Sequence, residues 1–142
     1  MTSEPKDRAV TRGHVLVVDD ERDLRALLRE LFEDEGYMVG EASDGQVALD
    51  LLRATPNRWV VLTDHQMPRL DGPGLVESVL ADPVLRARHA YLYMTATDRI
   101  ITPGLAQQLE ALQAITLIKP FSLATCVDLV AAAAARLADV PE

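Results

Sequence analysis

The stretch WVVLTDHQMP, residues 59–68, indicates how the rest of the chain is organised. An apolar run rich in β-branched residues stops at the carboxylate of Asp64, and the pattern breaks at Pro68. Short apolar runs of this kind are typical of strands buried on both faces. The stretch therefore predicts a strand that delivers Asp64 to the edge of a sheet. Because an Asp at a strand end also starts ordinary turns, its meaning depends on what the other strands deliver.

Four other segments have the same strand pattern, and a helix pattern follows each of the five strands. The predicted strands cover residues 14–18, 37–42, 59–64, 89–94 and 114–118. Between and after them, apolar residues recur at three- and four-residue spacing, the period of a helix with one buried face. Strand–helix repeats with short connections predict a parallel sheet covered by helices on both faces, because right-handed crossovers bury each helix against the sheet.

Polar residues and glycine mark the ends of these helices. Asp44 and Ser122 are predicted N-terminal caps, and Asp20 or a neighbour is expected to cap the first helix. Gly36 is expected to end that helix in the C′ position. The third helix is expected to be interrupted or extended around residues 82–83, an Asp-Pro pair.

Length and composition indicate a single domain in a reducing compartment. The 142 residues suit one domain, predicted over 14–138, with a flexible polar tail over 1–13 and a short tail over 139–142. The formal net charge of -8 argues against a nucleic-acid surface. No apolar run approaches the roughly 20 residues of a membrane span, and the start is too polar for a signal peptide. With a single cysteine, Cys126, a cytoplasmic location is expected.

Four of the five predicted strands end in polar groups with chemical uses. Because the carboxyl ends of parallel strands lie along one edge, where ligands bind, these groups are expected to meet. The second strand ends in Ala42 and is expected to lie at the side of the sheet, away from them. The polar groups are Asp19 and Asp20 after the first strand, Asp64 after the third, Thr95 after the fourth and Lys119 after the fifth.

Such a set of groups has a coherent chemistry. Three carboxylates close together repel one another; protonation of one is the usual relief, and a bound divalent cation is the alternative. Oxygen ligands without a His or Cys cluster suit a hard ion such as Mg²⁺. A cation, a lysine and a hydroxyl together surround an anionic phosphoryl group, and a carboxylate can serve as the nucleophile that forms an acyl phosphate. Taken singly, each residue has an ordinary structural role as a helix start, turn, strand end or solvated charge.

Four short motifs in this order resemble the receiver domain of two-component response regulators. They are VLVVDDE at 15–21, TDHQMP at 63–68, YMTA at 93–96 and IKPF at 118–121. The resemblance extends over about residues 14–137, nearly the whole chain. It implies a flavodoxin-like (βα)5 fold, a five-stranded parallel sheet in the order 2-1-3-4-5 with helices on both faces.

The resemblance also implies residue roles around the phosphoacceptor. It implies that Asp64 accepts a phosphoryl group from a phosphohistidine on a histidine kinase or histidine phosphotransfer protein. It implies that Asp20 binds Mg²⁺ directly, that Asp19 does so largely through water, and that Asp64 and the backbone carbonyl of Gln66 complete the protein's ligands. Such a protein is not an enzyme in the usual sense, because it catalyses only its own phosphorylation and dephosphorylation.

The resemblance also implies which residues contact the phosphoryl group and which control its hydrolysis. Lys119 is expected to pair with the phosphoryl oxygens, and its bond to the following proline is usually cis in receivers. Thr95 is expected to hydrogen-bond to the same oxygens when the site is filled. Gln66 and Thr97 stand where receivers tune the access of water to the acyl phosphate.

One position departs from the receiver pattern. Receivers usually carry Tyr or Phe three residues before the lysine of the last strand, as part of the switch, and this chain carries Thr116 there. The relay of activation to the face formed by the fourth helix, fifth strand and last helix, where a downstream protein is expected to dock, is therefore open. Homodimer formation is also open.

Several alternatives to a working stand-alone receiver exist. Because the chain ends just after the last helix, we expect a stand-alone module; a fragment of a larger regulator or hybrid kinase is the alternative. A pseudo-receiver would dock constitutively without chemistry, and Thr116 leaves room for it. A phosphohydrolase that passes through an aspartyl phosphate usually needs an acid two residues after the nucleophile, where this chain has Gln66. A flavin-binding protein would need a phosphate-binding glycine loop after the first strand, which is missing.

Overall fold

The structure, a computed structural model, describes residues 12–139. The predicted tails therefore lie outside the described residues over 1–11 and 140–142. The strands are β1 (His14–Val18), β2 (Met38–Ala42), β3 (Trp59–Asp64), β4 (Ala90–Thr95) and β5 (Ile115–Ile118). The α-helices are α1 (Arg22–Asp34), α2 (Gly45–Ala54), α3 (Gly72–Leu80), α4 (Pro83–Arg88), α5 (Pro103–Leu112) and α6 (Leu123–Ala138). A 3-10 turn covers Asp98–Ile100.

All five strands pair in parallel, in the order β2-β1-β3-β4-β5. This is the predicted flavodoxin-like order, and β2, which ends in Ala42, lies at one side of the sheet as expected. The register brings Val18 beside Thr63 and Thr95 beside Ile118. The residues that follow β1, β3, β4 and β5 therefore meet at the carboxyl edge of the sheet.

Two apolar cores, one on each face of the sheet, explain why the strands appear as continuous apolar runs. On one face Leu16 and Val61 pack in a core that includes residues of α2, α3 and α5. On the other face Val17 and Leu62 pack in a core that includes residues of α1 and α6. A strand buried on both faces needs apolar residues at every position rather than at alternate ones.

The helix ends follow local side-chain chemistry. The predicted caps are confirmed, because Asp44 accepts from Val47 N and Ser122 accepts from Thr125 N. Around 82–83 the helix is interrupted, and Asp82 caps the new helix α4. The expected side-chain cap of α1 is wrong: Glu21 is its N-cap and makes no cap hydrogen bond. None of the helices among residues 12–139 is long and apolar enough to cross a membrane.

The amino edge of the sheet carries a group of basic residues, which we term the basic end. A cavity of about 360 Å³ is lined by Arg12, Arg58 and Arg88, among others, and a neighbouring one of about 290 Å³ by Arg86 and Arg136. Among residues 12–139, Arg86, Arg88 and Arg136 form no ion pair with a carboxylate. These three arginines therefore place positive charge at the amino edge of the sheet, opposite Asp64.

Candidate functional site

Three carboxylates meet at the carboxyl edge of the sheet, as predicted. Asp19, Asp20 and Asp64 each offer one oxygen, and these oxygens lie within 4.8 Å of one another. We call these three residues the acidic cluster. They come together because β1 pairs with β3 in parallel, so that both strands end at the same level. Asp19 is 1% exposed, Asp64 is partly buried and Asp20 is exposed.

Lys119 supplies a positive charge to the acidic cluster. Its Nζ lies 3.0 Å from Oδ1 of Asp64 and 3.5 Å from Oδ2 of Asp19. Its backbone N donates to Thr95 O at 2.7 Å, and the peptide bond to Pro120 is cis, as the resemblance implied. Burial acts to lower the pKa of Lys119, but the hydrogen bond to Asp64 and the charge of Asp19 outweigh it and raise the pKa. The ammonium therefore stays charged.

Asp19 is the most deeply buried carboxylate of the acidic cluster. Its Oδ1 accepts from Glu21 N at 2.8 Å, whereas its buried Oδ2 has no hydrogen-bond partner. Burial raises the pKa of Asp19, and the charges of Asp64 and Asp20 raise it further against the lowering effects of the Glu21 hydrogen bond and Lys119. A buried, unsatisfied carboxylate oxygen beside two other carboxylates fits a divalent cation with oxygen ligands.

Thr95 and Thr97 lie close together at the end of β4. Thr95 is buried, and its hydroxyl donates to Thr97 O at 2.9 Å. Oγ1 of Thr97 accepts from Arg99 N and caps the 3-10 turn. In this structure the Thr95 hydroxyl is thus engaged with the turn after its strand. It sits on the strand next to β3, within the same edge as Asp64.

Gln66 and Thr116, the other predicted tuning and switch residues, lie on opposite sides of this edge. Gln66 is exposed and borders an open cavity of about 430 Å³ together with Asp20, beside the acidic cluster. Thr116 is exposed on β5, where it lines a groove of about 630 Å³ that α5 closes on its other side. Thr116 has no aromatic ring to fill that groove. The departure from the receiver pattern at this position therefore leaves the groove open.

A contact between His65 and Tyr93 was missed at the level of sequence. In the sequence, His65 is a loop residue next to Asp64, and Tyr93 is one residue of an apolar strand. Tyr93 is 1% exposed, and its hydroxyl forms a hydrogen bond with Nδ1 of His65. Burial raises the pKa of Tyr93, and the charges of Asp71 and Asp64 add to this, so its hydroxyl keeps its proton. The only signal in the sequence is that Tyr93 stands two residues before Thr95, on the same strand.

Gly72 closes the loop that begins at His65. Its N donates to His65 O at 2.8 Å. A Cβ on Gly72 would lie 2.6 Å from Asp64 O and 2.7 Å from the Tyr93 hydroxyl. The backbone of this loop therefore approaches the end of β3 so closely that only glycine fits.

Curated proteins similar to this chain include a phosphotransferase and a probable transcriptional regulator. Sporulation initiation phosphotransferase F of Bacillus subtilis (strain 168) is 32% identical over 111 residues, which cover 77% of this chain and 83% of that protein. The probable transcriptional regulator ycf27 of Guillardia theta is 34% identical over 113 residues, 71% of this chain. The match covers 44% of ycf27, so this chain spans less than half of that relative.

Solved structures show the same fold. A response regulator receiver domain protein (CheY-like) from Methanospirillum hungatei JF-1 superposes with a TM-score of 0.79 at 24% identity, over 91% of this chain and 99% of that one. The receiver domain of the Francisella response regulator 1452 gives a TM-score of 0.74 at 27% identity, over 87% and 98%. The family model for the response regulator receiver domain matches residues 15–131. The chain belongs to the response regulator receiver domain family.

Proposed function

We propose that this receiver is a phosphorylation-controlled signalling module in which Asp64 is the phosphoacceptor. The observation that carries the proposal is the position of Lys119 Nζ, 3.0 Å from Asp64, beside the acidic cluster. A lysine held against one carboxylate of three marks the place where a further anionic group can be accommodated. The phosphoryl donor would be a phosphohistidine on a histidine kinase or histidine phosphotransfer protein.

The transfer is a displacement at phosphorus. A carboxylate oxygen of Asp64 forms the new O–P bond, the N–P bond of the phosphohistidine breaks, and its electron pair returns to the imidazole. Lys119 neutralises charge on the phosphoryl oxygens, and the Thr95 hydroxyl turns from Thr97 towards them. The Asp64 side chain is 14% exposed, which leaves it accessible to the donor.

The acidic cluster would hold Mg²⁺ with the backbone carbonyl of Gln66. The buried Oδ2 of Asp19 supports this assignment, since it makes no close hydrogen bond and faces Lys119 Nζ only at 3.5 Å. When bound, Mg²⁺ supplies positive charge that offsets the phosphoryl oxygens. Asp19 and Asp20 would hold the cation, while Lys119 keeps a fixed positive charge beside Asp64 and Asp19.

Acetyl phosphate, a small phosphodonor, tests this proposal. Incubation of the protein with Mg²⁺ and acetyl phosphate should add one phosphoryl group, measured by intact mass. The adduct should be missing when a chelator removes Mg²⁺. A protein that binds Mg²⁺ yet never gains the adduct would be a pseudo-receiver, and the proposal would be wrong.

Asp19 should make both Mg²⁺ affinity and stability dependent on pH. Because its pKa lies above the ordinary 3.8, the folded protein binds this proton more tightly than the unfolded chain does. The stability of the metal-free protein therefore falls as pH rises from the ordinary Asp value through the raised pKa. Mg²⁺ affinity should depend on pH in the opposite sense. It should fall as the pH decreases through the raised pKa of Asp19, because the proton competes with the cation. Calorimetric titrations with Mg²⁺ at several pH values measure the second effect.

The variant Asp19→Asn separates the effect of Asp19 on stability from its effect on Mg²⁺ binding. At neutral pH in a chelator, we expect the variant to unfold at a higher Tm, because the buried charge that burial and the neighbouring carboxylates disfavour is removed. Lys119 keeps its partner Asp64, so no buried charge is left unpaired. Added Mg²⁺ should raise the Tm of the wild type but not of the variant. A variant less stable than the wild type in chelator would contradict the assigned electrostatics.

Output would pass through the surface formed by α5, β5 and α6. The groove of about 630 Å³ beside Thr116, with exposed Ile118 at its edge, supports docking of a downstream protein there. Passing the phosphoryl group to a second histidine protein is the other route, which the name of the Bacillus relative supports by analogy. We propose no nucleic-acid contact for this domain, given its net charge of -8.

A further inference from the structure

The loop between β3 and α3 carries the backbone carbonyl assigned to the cation, yet Gln66 makes no contact that would hold it. Within residues 12–139, neither the backbone nor the side chain of Gln66 forms a hydrogen bond. Its position must therefore be set by its neighbours. The residue immediately before it is His65, and the loop ends at Gly72.

Hydrogen bonds of His65 join the start of this loop to its end and to β4. The carbonyl of His65 accepts from Gly72 N at 2.8 Å, and its imidazole bonds to the Tyr93 hydroxyl. The two rings lie 5.6 Å apart at 82°, an edge-on arrangement that restricts rotation of the imidazole. Farther along, Leu70 O accepts from Gly45 N at 2.8 Å, so the loop is tied to α2 as well.

Tyr93 itself cannot move easily. It is 1% exposed in the core shared with α3 and α5, and its neighbours in the sheet are Thr63 on one side and Thr116 on the other. A rigid side chain that bonds to a loop residue fixes that residue's orientation. The residue fixed in this case is covalently next to both Asp64 and Gln66.

We propose that Tyr93 is a positioning residue for the cation and phosphoryl site, acting through the hydroxyl–imidazole bond to His65. The bond holds His65, whose carbonyl accepts from Gly72 N, and so limits the positions open to the following peptide, which carries the Gln66 carbonyl. This inference rests on the proposed function for its effect on Mg²⁺, but the loop fastening exists without the cation. Tyr93 does not touch the reacting groups and is not a catalytic residue.

Tyr93→Phe is the variant that tests the inference, since it removes one oxygen and keeps the buried ring. In metal-free protein, exchange of the Gly72 amide, followed by NMR, should become about tenfold faster because the loop opens more often. Mg²⁺ affinity, measured by calorimetry, should fall about tenfold, the size typical of losing a group that orients a metal ligand.

Tyr91→Phe is the matched control. Tyr91 is 3% exposed, lies two residues earlier on β4, and donates its hydroxyl to Leu85 O at 3.0 Å, away from His65. Its variant also removes the hydroxyl hydrogen bond of a buried tyrosine and should lower Tm. It should leave Gly72 exchange and Mg²⁺ affinity unchanged, which separates positioning from general loss of stability.

His65→Ala completes the design. If Tyr93 acts through His65, the Tyr93→Phe change should have no further effect on Gly72 exchange in the His65→Ala background. Unchanged exchange in Tyr93→Phe, or equal effects in both backgrounds, would overturn the inference. Should Tyr93→Phe fail to fold, faster Gly72 exchange in His65→Ala supports it and unchanged exchange overturns it. A wild type that binds no Mg²⁺ would instead count against the proposed function, because the exchange measurement uses metal-free protein.

Discussion

Asp64→Asn should abolish phosphorylation by acetyl phosphate in the presence of Mg²⁺, with no phosphoryl adduct in the intact mass. The carboxamide has the shape of the carboxylate but is a far weaker nucleophile, so the O–P bond does not form. The variant should fold normally, since Asp64 lies at the end of β3 and its backbone pairing is retained. Lys119 keeps its second carboxylate partner, Asp19, at 3.5 Å.

Asp50→Asn is the control for this loss. Asp50 is an exposed carboxylate on α2 that accepts a hydrogen bond from Gln46, and it lies outside the acidic cluster. The Asp50→Asn variant has the same change of charge as Asp64→Asn but an intact acidic cluster. It should therefore gain the adduct at the wild-type rate. An adduct that persists in Asp64→Asn would mean that another side chain accepts the phosphoryl group.

Gly72→Ala should strongly destabilise the protein. The added Cβ would lie 2.6 Å from Asp64 O, 2.7 Å from the Tyr93 hydroxyl and 2.9 Å from His65 Cα. Two of these atoms are backbone and cannot turn away, so the loop must shift. We expect a loss of about 3 kcal/mol, or about 10 °C in Tm, measured by thermal unfolding. Mg²⁺ binding should weaken with it.

Gly104→Ala is the opposite case in the same experiment. Gly104 lies in α5, and a Cβ there would meet nothing closer than Thr102 Oγ1 at 4.0 Å. Alanine favours a helix over glycine, so this variant should gain about 0.5–1 kcal/mol. Equal stability of the two alanine variants would show that the close approach at Gly72 is not a real constraint.

The strands and the acidic cluster could be predicted from the sequence because they depend on burial and on parallel strand pairing, and both leave a regular pattern in the sequence. Burial on both faces produces the uninterrupted apolar runs, and parallel pairing brings Asp19 and Asp64 to one edge whatever the side chains around them. The order of the strands came from family resemblance. The expected cap of α1 was wrong because Asp19 instead accepts from Glu21 N.

The fastening of the loop could not be predicted in the same way. Whether Tyr93 meets His65 depends on which face of β4 each side chain takes and on the path of a loop between two elements. Alternation along β4 is hidden, because every residue of that strand is buried. Likewise, Thr116 could be recognised as a departure from the receiver pattern, but the open groove beside it is visible only in three dimensions.

Within residues 12–139, the basic end and the acidic cluster place charges of opposite sign at opposite edges of the sheet. Arg86, Arg88 and Arg136 lie at one pole and the acidic cluster at the other, within a protein of net charge -8. A partner with a positively charged surface would be attracted to the acidic cluster and repelled by the basic end, which would favour an approach to Asp64. Salt shortens the range of this steering to about 8 Å at physiological ionic strength. Phosphotransfer from a protein donor should therefore slow with added salt more steeply than phosphorylation by a small molecule does.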